Sequence, residues 1–261
     1  MADEPVPASA AEQRSPRLDI VRQEDSLGAA EDLDFALRML TAARAGRLGP
    51  TLRVYRPQPT VALGQRDARL PGFDAAAAAC RKHGFEPLIR KAGGRAAAYH
   101  PGCLILDHVE PQQDAVAGSR PRFAQFSELY AGALRDAGLA AAVGEIPGEY
   151  CPGEFTVHGT AASGRRIKLV GTAQRVVSGA WLFSSVLVVQ NAEPLRRVLT
   201  DCYAALGLDW MPATAGATED LDARADLATV EAALLAAYAG YADTAPRSFN
   251  DLAADTAVRV P

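Results

Sequence analysis

The chain has 261 residues, of which 49% are hydrophobic and 22% charged, and its formal net charge is −4 at pH 7. This length suits one large domain or one domain with an appendage, and the composition is that of an ordinary soluble globule. The negative charge argues against general nucleic-acid binding, which needs a basic surface that displaces counterions from phosphates.

The N-terminal segment is acidic and rich in Pro and Ala, and it lacks the apolar core of a signal peptide or anchor. Residues 1–20 are therefore predicted to form a disordered leader. The longest apolar run, Ala180–Val189, is too short to span a bilayer, so no membrane association is expected.

The four cysteines form no CxxC pair and show no zinc-type spacing with the four histidines, so no metal site is predicted. Free thiols are typical of a reducing compartment. The sequence therefore predicts a cytoplasmic protein.

The first half of the chain alternates helical and β-rich segments. Ser26–Ala45 has leucines at helical spacing, a serine at its start and Gly46 after it, which predicts a helix. The alanine-rich Phe73–His83, closed by Gly84, predicts a second helix. Extended structure is predicted at Thr51–Tyr55, Thr60–Leu63, Pro87–Lys91, Ala96–Tyr99 and Cys103–His108.

The second half begins with a long predicted helix, Arg122–Ala137, and continues as β structure. Strands joined by glycine-containing turns are predicted at Phe155–Val157, Ile167–Val170, Gln174–Val177 and Trp181–Val189. Two C-terminal helices are predicted, at Pro194–Leu206 and Leu227–Ala239. The pattern predicts an α+β fold with a mixed, largely antiparallel sheet flanked by helices.

Two windows of the sequence contain no acidic residue. One runs from Pro87 to Leu106 and the other from Phe155 to Ala192, and together they carry seven Lys and Arg residues. If both windows reach one cleft, that cleft is positive within a negative protein and suits a carboxylate, a phosphate or an acidic partner surface. Acid-free runs are also typical of buried strands, and that interpretation stays open.

The lysine at position 168 stands out because the chain has three lysines among its 27 basic residues, and Arg165 and Arg166 precede it closely. A guanidinium stays protonated, whereas a lysine amine can exchange its proton when it is desolvated. Lys168 is therefore a candidate for chemistry that moves a proton.

A cysteine in a turn is the second candidate for chemistry. Cys151 precedes Pro152-Gly153, which predicts a turn that holds the thiol at the end of a segment rather than within an apolar face. Nearby basic residues favour a reactive thiolate. Cys80, Cys103 and Cys202 lie in helix or strand patterns and are interpreted as small buried side chains.

A glycine pair lies between basic residues in the segment Arg90-Lys91-Ala92-Gly93-Gly94-Arg95. Glycines allow the backbone to approach a ligand closely, and the flanking cations favour an anion. A bulge or a simple turn between strands explains the same pair equally well.

The segments around these residues resemble the lipoate-protein ligase and octanoyltransferase family, whose fold is shared with biotin-protein ligases. Residues 90–97 resemble the RRxxGG(G/R)AV segment of that family, and residues 168–175 resemble its K-x-x-G-[ST]-A-Q-R segment. Their order and separation also fit. The resemblance implies a biotin/lipoate protein ligase-like catalytic domain over residues 21–206, and we expect residues 207–261 to be a helical extension.

The resemblance is strongest to the cysteine-dependent octanoyl transferase branch, because Tyr150-Cys151-Pro152-Gly153 precedes the lysine segment. It implies Cys151 as nucleophile and Lys168 as its catalytic partner, which takes the thiol proton or stabilises the thiolate. It also implies a substrate pocket formed by both segments. Residues 90–97 would contribute Arg90, Gly93, Gly94 and Arg95, and residues 168–175 would contribute Gly171, Thr172 and Ala173.

The implied reaction is transfer of an octanoyl or lipoyl group through a cysteine thioester, with no cofactor. The implied donor is octanoylated acyl carrier protein or glycine cleavage H protein, and the implied acceptors are lipoyl domains of 2-oxoacid dehydrogenases. Two alternatives stay open. An ATP-dependent lipoate-protein ligase would use ATP and Mg and would not need Cys151. A non-catalytic acyl-ligand sensor would bind its ligand without turnover. Two departures from the family pattern favour this alternative: Lys91 stands in place of an arginine, and His100 is displaced by one position from the family's histidine.

Overall fold

The computed structural model describes residues 17–257, which form eleven strands and six α-helices. The strands are β1 Arg17–Gln23, β2 Thr51–Tyr55, β3 Thr60–Leu63, β4 Glu86–Ile89, β5 Ala97–Tyr99, β6 Cys103–Gln112, β7 Ala141–Val143, β8 Val157–Thr160, β9 Arg166–Val177, β10 Gly179–Val188 and β11 Asp243–Pro246. The helices are α1 Ala29–Arg44, α2 Phe73–Lys82, α3 Ser119–Asp136, α4 Glu193–Leu206, α5 Leu227–Tyr241 and α6 Phe249–Thr256.

Eight strands form one large sheet in the order β11-β1-β2-β6-β10-β9-β8-β7. β1 pairs in parallel with both β11 and β2, and every other pair of neighbours is antiparallel. A second sheet has the order β4-β3-β5. The prediction of an α+β fold with a mixed, largely antiparallel sheet flanked by helices is confirmed.

The large sheet is covered on both faces, and the alternation of side chains along β10 shows how. Trp181 and Phe183 face the core formed with α3 and α5. Leu182 faces α1, and Val186 faces the small sheet with α2 and α4. Because residues two apart share a face, α1 and the small sheet lie side by side on the same face of the large sheet.

The region after residue 206 is part of this architecture. β11 extends the large sheet beside β1, α5 packs on α3, and α6 packs on α1. The predicted helix at Leu227–Ala239 corresponds to α5, whereas β11 and α6 lack clear sequence signals. The expected helical extension thus contains a strand of the main sheet.

The predicted leader is too long at its C-terminal end, because residues 17–20 lie in β1 and bond to both neighbouring strands. The rest of that prediction, residues 1–16, lies outside the described residues. None of the helices in residues 17–257 has the length and apolar content that crossing a bilayer would take.

Two local predictions are wrong for identifiable reasons. The turn expected between Ile167–Val170 and Gln174–Val177 does not form, because Gly171 and Thr172 continue the ladder of β9 against β10. Ser26 does not cap α1, because its hydroxyl bonds to the Asp32 carboxylate, and Gly28 is the N-cap.

Candidate active site

A cavity of about 630 Å³ lies on the face of the large sheet that carries α1 and the small sheet. Apolar side chains from three elements line it: Leu33 and Leu37 of α1, Ala97 of β5, and Leu182 and Val186 of β10. Polar groups reach it from the 90–94 loop, the 150–156 loop and β9. The cavity therefore combines an apolar wall with a cluster of polar and charged groups.

The structure brings eight of the nine sequence-predicted site residues to this cavity: Arg90, Gly93, Gly94, Cys151, Lys168, Gly171, Thr172 and Ala173. Arg95 does not line it. The Arg95 guanidinium donates to Asp67 Oδ1 at 2.9 Å, and the buried Asp67 also accepts the N–H of Gly64 at 2.8 Å. Arg95 thus connects the glycine-rich loop, residues 90–95, to the segment after β3.

The glycine-rich loop approaches its surroundings too closely for side chains. Gly94 has a φ of +105°, and a Cβ there would lie 2.9 Å from Cys151 Sγ and 2.3 Å from Arg90 Nη2. A Cβ on Gly64 would lie 2.0 Å from the Gly94 carbonyl oxygen. Glycine at both positions lets the 90–95 backbone pass directly beside the thiol.

The Cys151 thiol accepts hydrogen bonds from this loop. Its Sγ lies 3.2 Å from the Arg95 backbone nitrogen and 3.6 Å from Arg90 Nη2. The Arg90 Nη2 group also donates to the Arg95 carbonyl at 2.7 Å, which fixes its position. A backbone N–H and a guanidinium group thus converge on the Cys151 sulfur.

The backbone of Cys151 is held in an unusual conformation. Its φ is 43°, and Asn191 is the one other non-glycine residue with positive φ in residues 17–257. The Cys151 N–H donates to Tyr203 Oη at 2.8 Å, and Tyr203 Oη donates to the Ala96 carbonyl at 3.0 Å. Tyr203 of α4 therefore bridges the cysteine turn and the glycine-rich loop.

Lys168 contacts the turn of Cys151 rather than its sulfur. Its Nζ donates to the Cys151 carbonyl at 2.9 Å and to the Tyr150 carbonyl at 3.1 Å, and it lies 2.7 Å from Glu149 Oε2. Both charged side chains are buried, at 2% exposure for Lys168 and 0% for Glu149. The hydrogen bonds of Lys168 Nζ are to these two carbonyls and not to Cys151 Sγ.

Three residues of this arrangement had no place in the sequence interpretation: Glu149, Asp67 and Tyr203. A signal for Glu149 did exist, because a buried lysine needs a counter-ion and Glu149 lies two residues before the cysteine. Tyr203 and Asp67 lie in elements distant along the chain, so no local pattern marks them.

Two other titratable residues, His158 and Cys103, are buried. His158 of β8 is 6% exposed, its Nδ1 has no hydrogen-bond partner, and burial lowers its pKa. Cys103 is buried as expected, and burial raises the pKa of its thiol to about 12, which keeps it unreactive.

The expected positive cleft is formed in part. Arg90 and Lys91 line the cavity, and Arg175 donates to the Lys91 carbonyl at 2.9 Å. Arg165 and Arg166 are exposed and do not line it. Residues 17–257 contain no group of three or more His, Cys, Asp or Glu side chains arranged to hold a metal ion.

A family model for the lipoyl protein ligase A/B catalytic domain matches residues 29–206. An octanoyl-[GcvH]:protein N-octanoyltransferase of Exiguobacterium sibiricum is 30% identical over 175 residues, which cover 66% of this chain and 61% of that protein. A lipoyl-[GcvH]:protein N-lipoyltransferase of Listeria monocytogenes is 26% identical, with 62% of this chain and 57% of that protein covered. The chain thus spans about three fifths of the length of these curated relatives.

Solved structures show the same fold at low sequence identity. A lipoate-protein ligase A bound with ATP has a TM-score of 0.70 at 18% identity, with 92% of each chain covered. A bi-partite lipoate protein ligase of Thermoplasma acidophilum has a TM-score of 0.63 at 19% identity, with 94% of this chain and 91% of that chain covered.

Proposed function

The chain belongs to the lipoyl protein ligase A/B catalytic domain family, and we propose that it is an acyltransferase that moves an octanoyl or lipoyl group between carrier proteins through a thioester on Cys151. One observation carries the proposal: the Cys151 thiol lies at an apolar cavity and accepts hydrogen bonds from the Arg95 N–H and Arg90. The names of the curated relatives, octanoyl and lipoyl transferases that use GcvH, support the same reaction class.

In the first half-reaction, the Cys151 thiolate attacks the carbonyl carbon of the octanoyl group on the donor carrier, and a sulfur–carbon bond forms. The carbonyl oxygen then gains negative charge near the hydrogen-bond donors of the Cys151 sulfur, the Arg95 N–H and Arg90. Arg90 Nε is buried and has no hydrogen-bond partner, so it is available to that oxyanion. The bond to the donor then breaks, and the departing group takes up a proton.

In the second half-reaction, the amine of the acceptor lysine attacks the thioester carbonyl, and the Cys151 sulfur leaves as a thiolate. The Arg95 N–H and Arg90 again stabilise that thiolate, so the enzyme returns to its starting state. The acceptor amine loses a proton as the amide bond forms. No cofactor enters either half-reaction.

The apolar wall supplies binding energy for the acyl chain. Burial of hydrocarbon contributes about 0.8 kcal/mol per methylene, or about 5 kcal/mol for the tail of an octanoyl group. Leucine, valine and alanine side chains of α1, β5 and β10 provide that surface. Chain length can therefore be selected without polar contacts to the tail.

For the partners, we propose octanoylated glycine cleavage H protein as the donor, in line with the names of the relatives, with octanoylated acyl carrier protein as the second donor to test. The proposed acceptors are lipoyl domains of 2-oxoacid dehydrogenases. We place the reaction in the cytoplasm, where these carriers and reduced thiols occur together.

Intact-mass measurement tests the proposal. The full chain is incubated with either octanoylated donor, and an octanoyl adduct on Cys151 is expected that a lipoyl domain then discharges. Cys151→Ser should form no thioester and lose transfer, whereas Cys80→Ala, a change at a buried thiol that does not line the cavity, should transfer normally.

Each alternative predicts a different result. Full transfer by Cys151→Ser would refute the thioester route. Lipoylation by Cys151→Ser that depends on ATP and free lipoate would establish the ligase alternative. Reversible binding of octanoate without any adduct or product would establish the sensor alternative.

A further inference from the structure

The nucleophile occupies a backbone conformation that its own side chain does not favour. A cysteine at a φ of 43° is in the left-handed region, where non-glycine residues persist only when their surroundings hold them. Pro152 follows directly and restricts the backbone further. The position of Sγ against the Arg95 N–H therefore depends on the groups that fix the Cys151 backbone.

Two groups fix it. Tyr203 Oη accepts the Cys151 N–H at 2.8 Å, and Lys168 Nζ donates to the Cys151 carbonyl at 2.9 Å. Lys168 also donates to the Tyr150 carbonyl at 3.1 Å and packs over the Tyr150 ring at 4.8 Å. One ammonium group thus holds two consecutive carbonyls of the turn.

The position of that ammonium is set by Glu149. Glu149 Oε2 lies 2.7 Å from Lys168 Nζ, and with the two carbonyls it engages all three donors of the ammonium. The carboxylate is itself fixed, because Oε1 accepts the Ile146 N–H at 3.1 Å and Oε2 accepts the Thr156 hydroxyl at 2.8 Å. Glu149 does not line the cavity.

We infer that Glu149 is a positioning residue: it holds Lys168 as a fully engaged ammonium, and Lys168 in turn clamps the Cys151 backbone so that the thiolate meets the Arg95 N–H and Arg90. This role rests on the proposed transfer function and goes beyond it by assigning how the nucleophile is placed. A lysine with three occupied donors has no lone pair directed at sulfur, so it does not act as the base for the thiol. The thiol proton leaves to solvent through the open cavity.

The experiment compares Glu149→Gln and Glu149→Asp with the parent chain and with Tyr238→Phe. Tyr238 is buried, bonds to Tyr130 at 3.0 Å and does not line the cavity, so its variant controls for a general loss of stability. Two rates are measured: alkylation of Cys151 by iodoacetamide at pH 7, and octanoyl-enzyme formation at saturating octanoylated H protein. The other three cysteines are fully buried, which makes the alkylation selective.

If Glu149 positions Lys168 and the Cys151 backbone as we infer, Glu149→Gln lowers the alkylation rate by about threefold or more, because Sγ loses its alignment with its two hydrogen-bond donors. Octanoyl-enzyme formation at saturation falls by about tenfold or more, while the half-saturating donor concentration stays within about twofold. Glu149→Asp keeps the charge and retains more of both rates than Glu149→Gln. Tyr238→Phe retains both.

A base role predicts the opposite sign, because loss of the carboxylate frees the lysine amine, so that alkylation is unchanged or faster. That result, or equal losses in Glu149→Asp and Glu149→Gln, would overturn the inference. If Glu149→Gln does not fold, Glu149→Asp decides the question, because its shorter side chain should still slow both rates relative to the parent and to Tyr238→Phe, and rates equal to the parent's would overturn the inference. Alkylation needs no acyl donor, so a parent chain that forms no octanoyl adduct refutes the proposed function separately.

Discussion

The substitution Gly94→Ala is the sharpest probe of the geometry around the thiol. The new Cβ would lie 2.9 Å from Cys151 Sγ and 2.3 Å from Arg90 Nη2, and the residue would need a φ of +105°. An ordinary van der Waals contact begins at 3.4 Å, so Sγ must move by about half an ångström and the guanidinium by about one. Both movements separate the sulfur from its donors.

The expected magnitude follows from these displacements. A misplacement of about 1 Å in an active site, here of the Arg90 guanidinium that donates to Sγ, costs about 100-fold in rate, which corresponds to about 2.7 kcal/mol of activation free energy. The backbone conformation adds a separate cost to folding of about 1–3 kcal/mol. Gly94→Ala should therefore slow acylation by about 100-fold and lower the free energy of unfolding measurably.

Gly93→Ala is the matched comparison. Its Cβ would meet nothing within 4 Å, and its φ is outside the left-handed region. We expect a loss in rate of about threefold at most, in keeping with an exposed loop position that changes by one methyl group.

The assay is single-turnover formation of the octanoyl enzyme, followed by intact mass, alongside urea unfolding of both variants. A Gly94→Ala variant that acylates within about threefold of the parent would refute the close approach of the 90–95 loop to the thiol. Equal losses in the two alanine variants would show that general loop flexibility, rather than the contact with sulfur, decides the rate.

Two further predictions concern residues outside the glycine-rich loop. Tyr203→Phe removes the acceptor of the Cys151 N–H and should lower the free energy of unfolding by about 1–2 kcal/mol and slow acylation by about tenfold, measured by urea unfolding and intact mass; a rate equal to that of Tyr238→Phe would contradict it. Burial lowers the pKa of His108. Below about pH 6.5 the unfolded chain therefore binds a proton at this residue that the folded chain does not bind. The free energy of unfolding should fall as the pH drops from 7 to 5. His108→Asn should reduce this pH dependence in urea unfolding, and an unchanged slope would contradict the assignment.

Much of the fold could be predicted because local patterns and packing agree. Thr51–Tyr55 and Thr60–Leu63 are strands with the predicted bounds, since β-rich residues are bounded there by proline turns. The three-residue β7 and the four-residue β11 are too short for a periodic pattern, and their pairing with distant strands creates them. The sequence predicts a break at Gly171 because glycine often ends a strand, but pairing with Val186 keeps this residue in β9.

The candidate active site could also be predicted only in part from the sequence. Its residue types could be predicted, because an isolated lysine, a cysteine in a turn and a glycine pair are unusual in this sequence. Their contacts could not, because Lys168 reaches the Cys151 carbonyl rather than its thiol only through the register of β9 and the turn at 149–151. His158 shows the same limit: its burial depends on the register of β8 against β9, which the local sequence does not encode.

The parallel pairing of β1 with β11 has a consequence for how the chain is made. During synthesis, the hydrogen-bonding groups on one side of β1 stay without their strand partner until residues 243–246 have left the ribosome. A fragment that ends at Leu206, where the family match stops, would keep that side open permanently and offer it to neighbouring molecules. β11 is itself the edge strand of the sheet, but it has four residues and ends at Pro246, so it presents fewer free backbone groups to a neighbouring molecule than the seven-residue β1 would.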